Sequence, residues 1–314
     1  MKKLVSLALA AGLALVGVSG VQAISESEIQ QDIDTKETRR VYDTPSKGVL
    51  WGWEVTAYVC TKAIATGTFL MMAIWHFFNG GIDASSELTG LIITLVFMGI
   101  TGVLLVKDLD RPDRFLYVLL RPQWKSWLVR GAYIITGFGG FVTLKLLDKY
   151  FRLGLEWLWW PGAVFAVMGA VYTAFLFNQA RARDLWQIPI QSSIHMLVHA
   201  LMAGSVAMMV IAPETRESMV HILLWGIVLN MVFIAKEIFM PHDTPDTKKA
   251  IHLMTKGYYS KYFWAGIALG SVIPIIILNT MSGSTTLIAG GLILIGIFLT
   301  EFVRIRVPQM IPLS

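Results

Sequence analysis

Cysteine all but vanishes from this sequence: Cys60 is the only one among 314 residues. Its scarcity excludes an internal disulfide, a thiolate-ligated iron–sulfur cluster and a cysteine-rich zinc site. Cys60 itself reads as a small apolar packing residue inside a helix. Charge is scarce as well. Only 15% of residues are Asp, Glu, Lys or Arg, against 55% hydrophobic, and the mean hydropathy is +0.62. A water-soluble domain of this length needs more polar surface to solvate its exterior. The net charge of +5 gives no argument for nucleic acid, because the basic residues flank apolar runs and show no aromatic interleaving on a polar face. No nucleic-acid partner is expected.

What the chain does have is a series of apolar runs of roughly 18–25 residues, the length a helix needs to cross ~30 Å of hydrocarbon. Every backbone amide must find a partner in lipid, so such runs read as helices. The pattern predicts an all-α, polytopic membrane protein with about eight transmembrane helices, at 51–78, 88–106, 128–147, 157–180, 193–212, 219–239, 262–279 and 287–303. Residues 1–23 have a signal-peptide layout, with Lys2 and Lys3 before an apolar core and Val21-Gln22-Ala23 as a small-residue cleavage pattern, an uncleaved anchor being the alternative. A polar surface segment follows at 24–50, then a transmembrane domain over 51–306 and a C-terminal tail at 307–314. Tryptophans and tyrosines crowd the helix ends (Trp51, Trp53, Trp124, Trp127, Trp157, Trp159, Trp160, Tyr258, Tyr259), as interfacial belts do. Gly139-Gly140 and Gly290-Gly291 read as close-packing points between helices.

An even number of spans puts segment 24–50, the loops after the second, fourth and sixth spans and the tail on one membrane side, here side A. Most of the 26 Lys and Arg fall there, which by the positive-inside rule makes side A cytoplasmic. The signal-like start argues the opposite and favours a periplasmic side A. The asymmetry itself is clear: a partner or a headgroup should dock on side A.

An ionisable side chain at the centre of a span costs about 2.5–3.5 kcal/mol, so each is a candidate for function. Glu54, Tyr58 and Lys62 recur at i, i+4 and i+8 in the first span, one helix face descending roughly 15 Å from side A. An internal ion pair, or a Lys62 that snorkels back to the interface, is the alternative. The fourth span offers Tyr172, Thr173 and Asn178, with Tyr172 level with Lys62; His195 and His199 share a face of the fifth. Lys107 and Asp108 close the second span and Arg130 opens the third. A pocket bounded by carboxylate, phenol and imidazole at one depth can hydrogen-bond quinone carbonyls and exchange their protons.

Two rival readings use the same residues. A haem needs two axial imidazoles from facing helices; His195 and His199 share one helix, whereas His76 and His221 lie near the opposite side and could pair. Hydrogen-bonded histidines are the expectation, with His242 and His252 solvated in a loop. A secondary transporter or proton-translocating channel would use Glu54, Lys62 and the fourth-span polar residues as a relay. That needs a polar path to the far side, where only Asn230, Thr136 and Thr143 stand out. A passive anchor would need neither Glu54 nor Lys62 buried.

The segment Asp108-Leu109-Asp110-Arg111-Pro112-Asp113-Arg114-Phe115, followed by Leu120-Arg121-Pro122 and Ser126-Trp127 through Arg130-Gly131, resembles the signature of the NrfD/PsrC family, the polysulfide-reductase-type membrane subunits. Tyr172-Thr173-Ala174 through Arg183-Asp184-Leu185-Trp186 is similar to a second segment of that family, and Trp51-Gly52-Trp53-Glu54 to its first helix. Asp110 and Ala174 stand where glycine is usual, and Asp184 where proline is. The resemblance implies two four-helix bundles, no haem or metal bound by this chain, and a menaquinone or ubiquinone site near the docking face. It implies a bacterial inner-membrane complex with a ferredoxin-like iron–sulfur subunit, joined to a molybdopterin-type catalytic subunit, so this chain is not catalytic alone. By that analogy Asp108 and Tyr172 border the quinone, with Glu54, Tyr58 and Lys62 on the face that lines the pocket. Arg111, Arg114, Arg121 and Arg130 shape the loop against the partner, and Arg111, Arg114, Arg130, His195 and His199 join Tyr58 as binding candidates. A self-paired turn of Arg111 with Asp108 or Asp113 is the alternative for the arginines.

Overall fold

The computed structural model describes residues 51–109, 111–180, 183–240 and 244–311. The signal-like and polar segments expected over 1–50 lie outside the described residues, as do Asp110 and His242. All regular structure among the described residues is helical: α1 (Trp53–Asn79), α2 (Ala84–Lys107), α3 (Phe115–Leu120), α4 (Trp127–Phe151), α5 (Trp159–Asn178), α6 (Pro189–Ile211), α7 (Arg216–Phe239), α8 (Pro245–Thr255), α9 (Ser260–Ile267), α10 (Ile273–Thr280) and α11 (Thr286–Met310). A π-helical turn, Ala268–Val272, joins α9 to α10 into one span. Among the described residues, eight helices are long and apolar enough to cross a membrane. The surface helices α3 and α8 are additions to the predicted pattern. His252 sits in α8, not in a loop, and is exposed.

Helices α1, α2, α4 and α5 close into one four-helix bundle, and α6, α7, α9–α10 and α11 into a second. They meet along α1, α5, α6 and α11. That seam is the core of the molecule. The apolar stretches of α1 and α6 are each 72% buried, whereas that of α4 is 22% buried. A helix this apolar and this exposed within the protein needs lipid on its outer face.

Small residues let the seam close. A Cβ on Gly67 would strike the backbone of Ala200, and one on Gly204 the backbone of Gly67, so α1 and α6 touch main chain to main chain. Gly139, Gly140 and Gly291 face open space, contrary to the packing role expected for them; of the two expected pairs only Gly290 is packed, against Val206. Spacing alone does not tell a glycine at a helix contact from one facing lipid.

Two prolines shape the second bundle. Pro274 has no N–H for the carbonyl one turn earlier, and the π-turn Ala268–Val272 absorbs that fault just ahead of it. Pro308 likewise frees the carbonyl of Arg304, which the Trp186 indole N–H takes at 3.2 Å. Nearby, Arg183 Nη1 donates to Pro308 O at 3.1 Å and Ile311 O at 2.7 Å. Burial pulls the Arg183 guanidinium below its ordinary value, with Asp246 acting in the other sense. Trp51 and Gln309 exchange two bonds of 3.0 Å. The side A ends of α1, α6 and α11 are thereby tied together over the seam.

Candidate functional site

Lys62 lies one helical repeat beyond Tyr58 on α1 and is 1% exposed. It has not snorkelled. Its ammonium donates to Ala170 O at 3.1 Å and to the Thr173 hydroxyl, both on α5, and stands 4.4 Å over the Tyr172 ring. All three partners are uncharged. From the second bundle, Glu301 of α11 acts electrostatically on Lys62 and on Cys60 beside it. Tyr58 is buried within electrostatic reach of Tyr172 and Asp108. Four of the groups picked out by sequence therefore come together: Lys62, Tyr172, Tyr58 and Asp108. Glu54 stays at the rim, where it pairs with Lys107 at 3.3 Å.

The histidines face the same seam from α6. His195 Nε2 and His199 Nε2 both lie against Asn230 Oδ1 of α7, at 2.7 and 2.9 Å. Arg304 Nη1 reaches His195 Nδ1 at 2.9 Å and Glu301 Oε1 at 2.8 Å. Its other edge grips Glu237 through Nη2 at 2.9 Å and Nε at 3.2 Å. Glu301 is 1% exposed and sits 3.4 Å from His199 Nδ1. A narrow apolar-walled cleft with room for about 20 Å³, partly open to the outside, reaches this network; Phe177, Trp186, Met196 and Ile305 line it beside Glu237, Glu301 and Arg304. His195, His199 and Glu301 bring potential ligand atoms within 4.8 Å of one another. Arg304 already supplies the positive charge that a metal ion would bring to them.

Three arginines stand apart. Arg111 pairs with Asp113 at 3.4 Å and Arg114 with the same carboxylate at 3.9 Å, both exposed in the loop before α3. Arg130 is also exposed; it donates to Trp124 O at 2.6 Å and lies over the Trp127 ring. The structure does not bring these arginines to the buried cluster. His76 stacks on Trp159, while His221 is exposed on α7, so the two are not set to sandwich a haem.

The far side is richer than the sequence suggested. Lys145 of α4, 0% exposed, bonds Asp148 and Glu156 at 2.9 Å each and lies 4.0 Å from Glu87. Lys149 closes on Glu87 at 2.5 Å. Asn230, placed among the far-side candidates from sequence, belongs to the histidine network. Glu301, Arg304 and Glu237 were missed altogether. The i, i+3 pair Glu301–Arg304 inside an apolar span was the available signal, since an intramembrane charge needs a partner.

Fold and site define a polytopic membrane protein with a polar seam between two four-helix bundles, reached from one membrane side. The family model for polysulphide reductase NrfD matches residues 43–312, and the chain belongs to that family. Its members are the quinone-interacting membrane subunits of respiratory oxidoreductase complexes and generally partner with iron–sulfur and molybdopterin subunits. No curated protein matches the chain.

Proposed function

We propose that this chain is the quinone/quinol-reactive membrane subunit of a multi-subunit respiratory oxidoreductase, and that Lys62, Tyr172, Tyr58 and Asp108 exchange protons with the quinone. One observation carries the reading: among the described residues Lys62, buried at the bundle seam, has only neutral hydrogen-bond partners, with the Tyr172 ring beneath it and Tyr58 linking Tyr172 to Asp108 electrostatically. A buried charge without an ion partner is costly, and function is the common reason for retaining one. The donor set fits a quinone, whose two carbonyl oxygens accept hydrogen bonds and gain protons on reduction. The Lys62 ammonium and the Tyr172 phenol supply such donors, and Asp108 with Glu54 leads from side A toward them. Tyr58 and Tyr172 are each 2% exposed, so a ring must displace packed side chains or approach from the Phe177–Trp186 cleft.

The quinone would be menaquinone or ubiquinone, with electrons passing to or from a ferredoxin-like iron–sulfur subunit docked on side A and on to a molybdopterin-type subunit. The signal-like start supports a bacterial inner membrane with that face periplasmic. The exposed arginines Arg111, Arg114 and Arg130 suit contact with that partner rather than with the quinone. Through-membrane transport has one observation in its favour, the charged cluster around Lys145. Between it and Lys62, however, Phe69, Phe138 and Trp159 pack ring to ring at 5.0 and 5.4 Å, an apolar layer.

The test is quinone-linked electron transfer by the assembled complex carrying Tyr172→Phe or Asp108→Asn. A loss of about 10²-fold or more is expected where a proton-transferring group is removed. Full turnover in both variants, with the complex intact, would count decisively against this site.

A further inference from the structure

The hydrogen atoms of the histidine network can be assigned from one fixed point. Arg304 has N–H donors and no acceptor. It meets His195 Nδ1 at 2.9 Å, so that nitrogen must accept, and the His195 proton sits on Nε2. His195 Nε2 then donates to Asn230, which must present its oxygen there. His199 Nε2 meets the same oxygen at 2.9 Å and must also donate. A neutral His199 therefore turns a bare lone pair on Nδ1 toward Glu301 Oε1, 3.4 Å away. Two lone pairs face each other there. Among the described residues His199 Nδ1 has no hydrogen-bond partner, although the residue is 2% exposed.

We infer that His199 and Glu301 share one exchangeable proton and form a proton-storage site at the seam between the bundles. With the proton present, the pair is either imidazolium against carboxylate or imidazole against carboxylic acid, and the lone-pair conflict is gone. The step is a bare proton transfer: water entering the cleft gives a proton to a Glu301 oxygen or takes one from it, and nothing is oxidised or reduced. Glu301 itself lines that cleft with Glu237 and Arg304, which supplies the route to side A. The surrounding charges are Arg304 on α11, Glu237 on α7 and Lys62 on α1, with His195 on α6 and Cys60 on α1 as the other titratable neighbours. Lys62 and Arg304 flank Glu301 from the two bundles, so gain or loss of its proton changes the field felt by both. A metal ion fits poorly, because both His195 nitrogens are already committed. A role as reservoir for quinone protonation rests on the proposed function; the stored proton does not.

The test is an infrared pH titration of the purified full-length protein in lipid nanodiscs, without quinone. One buried carboxyl or imidazole step is expected in the wild type and in Glu237→Gln, and its absence in Glu301→Gln, whose amide can donate to His199 Nδ1 without carrying an exchangeable proton. An unchanged step in Glu301→Gln would overturn the inference, as would stoichiometric bound metal. Should Glu301→Gln fail to assemble, wild-type protein with ring-¹⁵N-labelled histidine answers the same question. It should show one buried histidine locked as the Nε2–H tautomer and one whose Nδ1 signal moves with pH, either by taking the proton or by accepting a hydrogen bond from protonated Glu301; two buried histidines with pH-independent signals would overturn the proposal. Because no readout needs quinone, this result and the turnover test fail separately.

Discussion

Each end of the protein buries a lysine, and the two are treated oppositely. Lys145, near the far side, is ringed by Asp148, Glu156 and Glu87, the last also held by Lys149. Charge is matched on the spot, within the first bundle. Lys62, near side A, has a carbonyl, a hydroxyl and an aromatic face, and the carboxylate that acts on it, Glu301, belongs to the other bundle. Self-paired charges close off one end of the protein. At the other end the charge is left unmatched within its own bundle. On the proposed function, the same residue type then does structural work in one place and chemical work in the other, and the partners decide which.

That contrast can be broken. The largest effect should come from Lys145→Ala, which strands buried carboxylates. Loss of one partner from a buried pair costs about 3–5 kcal/mol, and the half-exposed Glu156 argues for the lower end. Thermal unfolding in detergent should show it, while electron transfer per folded complex stays unchanged. Lys62→Met is the mirror experiment. No ion partner is stranded, so stability should stay within about 1 kcal/mol of wild type, while quinone-linked transfer falls about 10²-fold. An unstable but active Lys62→Met would reverse the comparison. Glu156→Gln keeps Asp148 on Lys145 and should cost about 1 kcal/mol or less, since the pair it removes is partly solvated.

The smallest effect concerns Asp83, the N-cap of α2. Hydrogen bonds from Ser85 and then Ser86 hold its carboxyl well below the usual carboxylate range. A folded-state value below the unfolded one adds stability above the unfolded value, and that stability is lost as pH falls toward the folded one. Wild-type protein should therefore lose more thermal stability on acidification than Asp83→Asn, whose cap does not titrate. Parallel curves would remove Asp83 from the account.

Much of the fold was legible because lipid leaves few options: an apolar run of sufficient length becomes a helix, and the eight predicted spans all appear. What stayed hidden depends on which face of each helix meets which neighbour. Depth alone grouped Lys62 with Tyr172 correctly, and equally suggested Arg130, which the structure leaves exposed. Asn230 was assigned to the wrong side, because its partners His195 and His199 lie on another helix. Lys145 was overlooked near a helix end, where snorkelling is the usual expectation. Only its position over Trp159, with Asp148 and Glu156 folded around it, shows that it is buried.

Everything proposed for the side A end turns on where the quinone sits. Photo-crosslinking of the assembled complex with an azido-quinone, followed by peptide mapping, tests it most directly. Label should fall on α1 and α5 around Tyr58, Lys62 and Tyr172, and should be lost on competition with unmodified quinone. Competable label confined to the Lys145 end, or to lipid-facing surfaces of α2 and α4, would contradict the account.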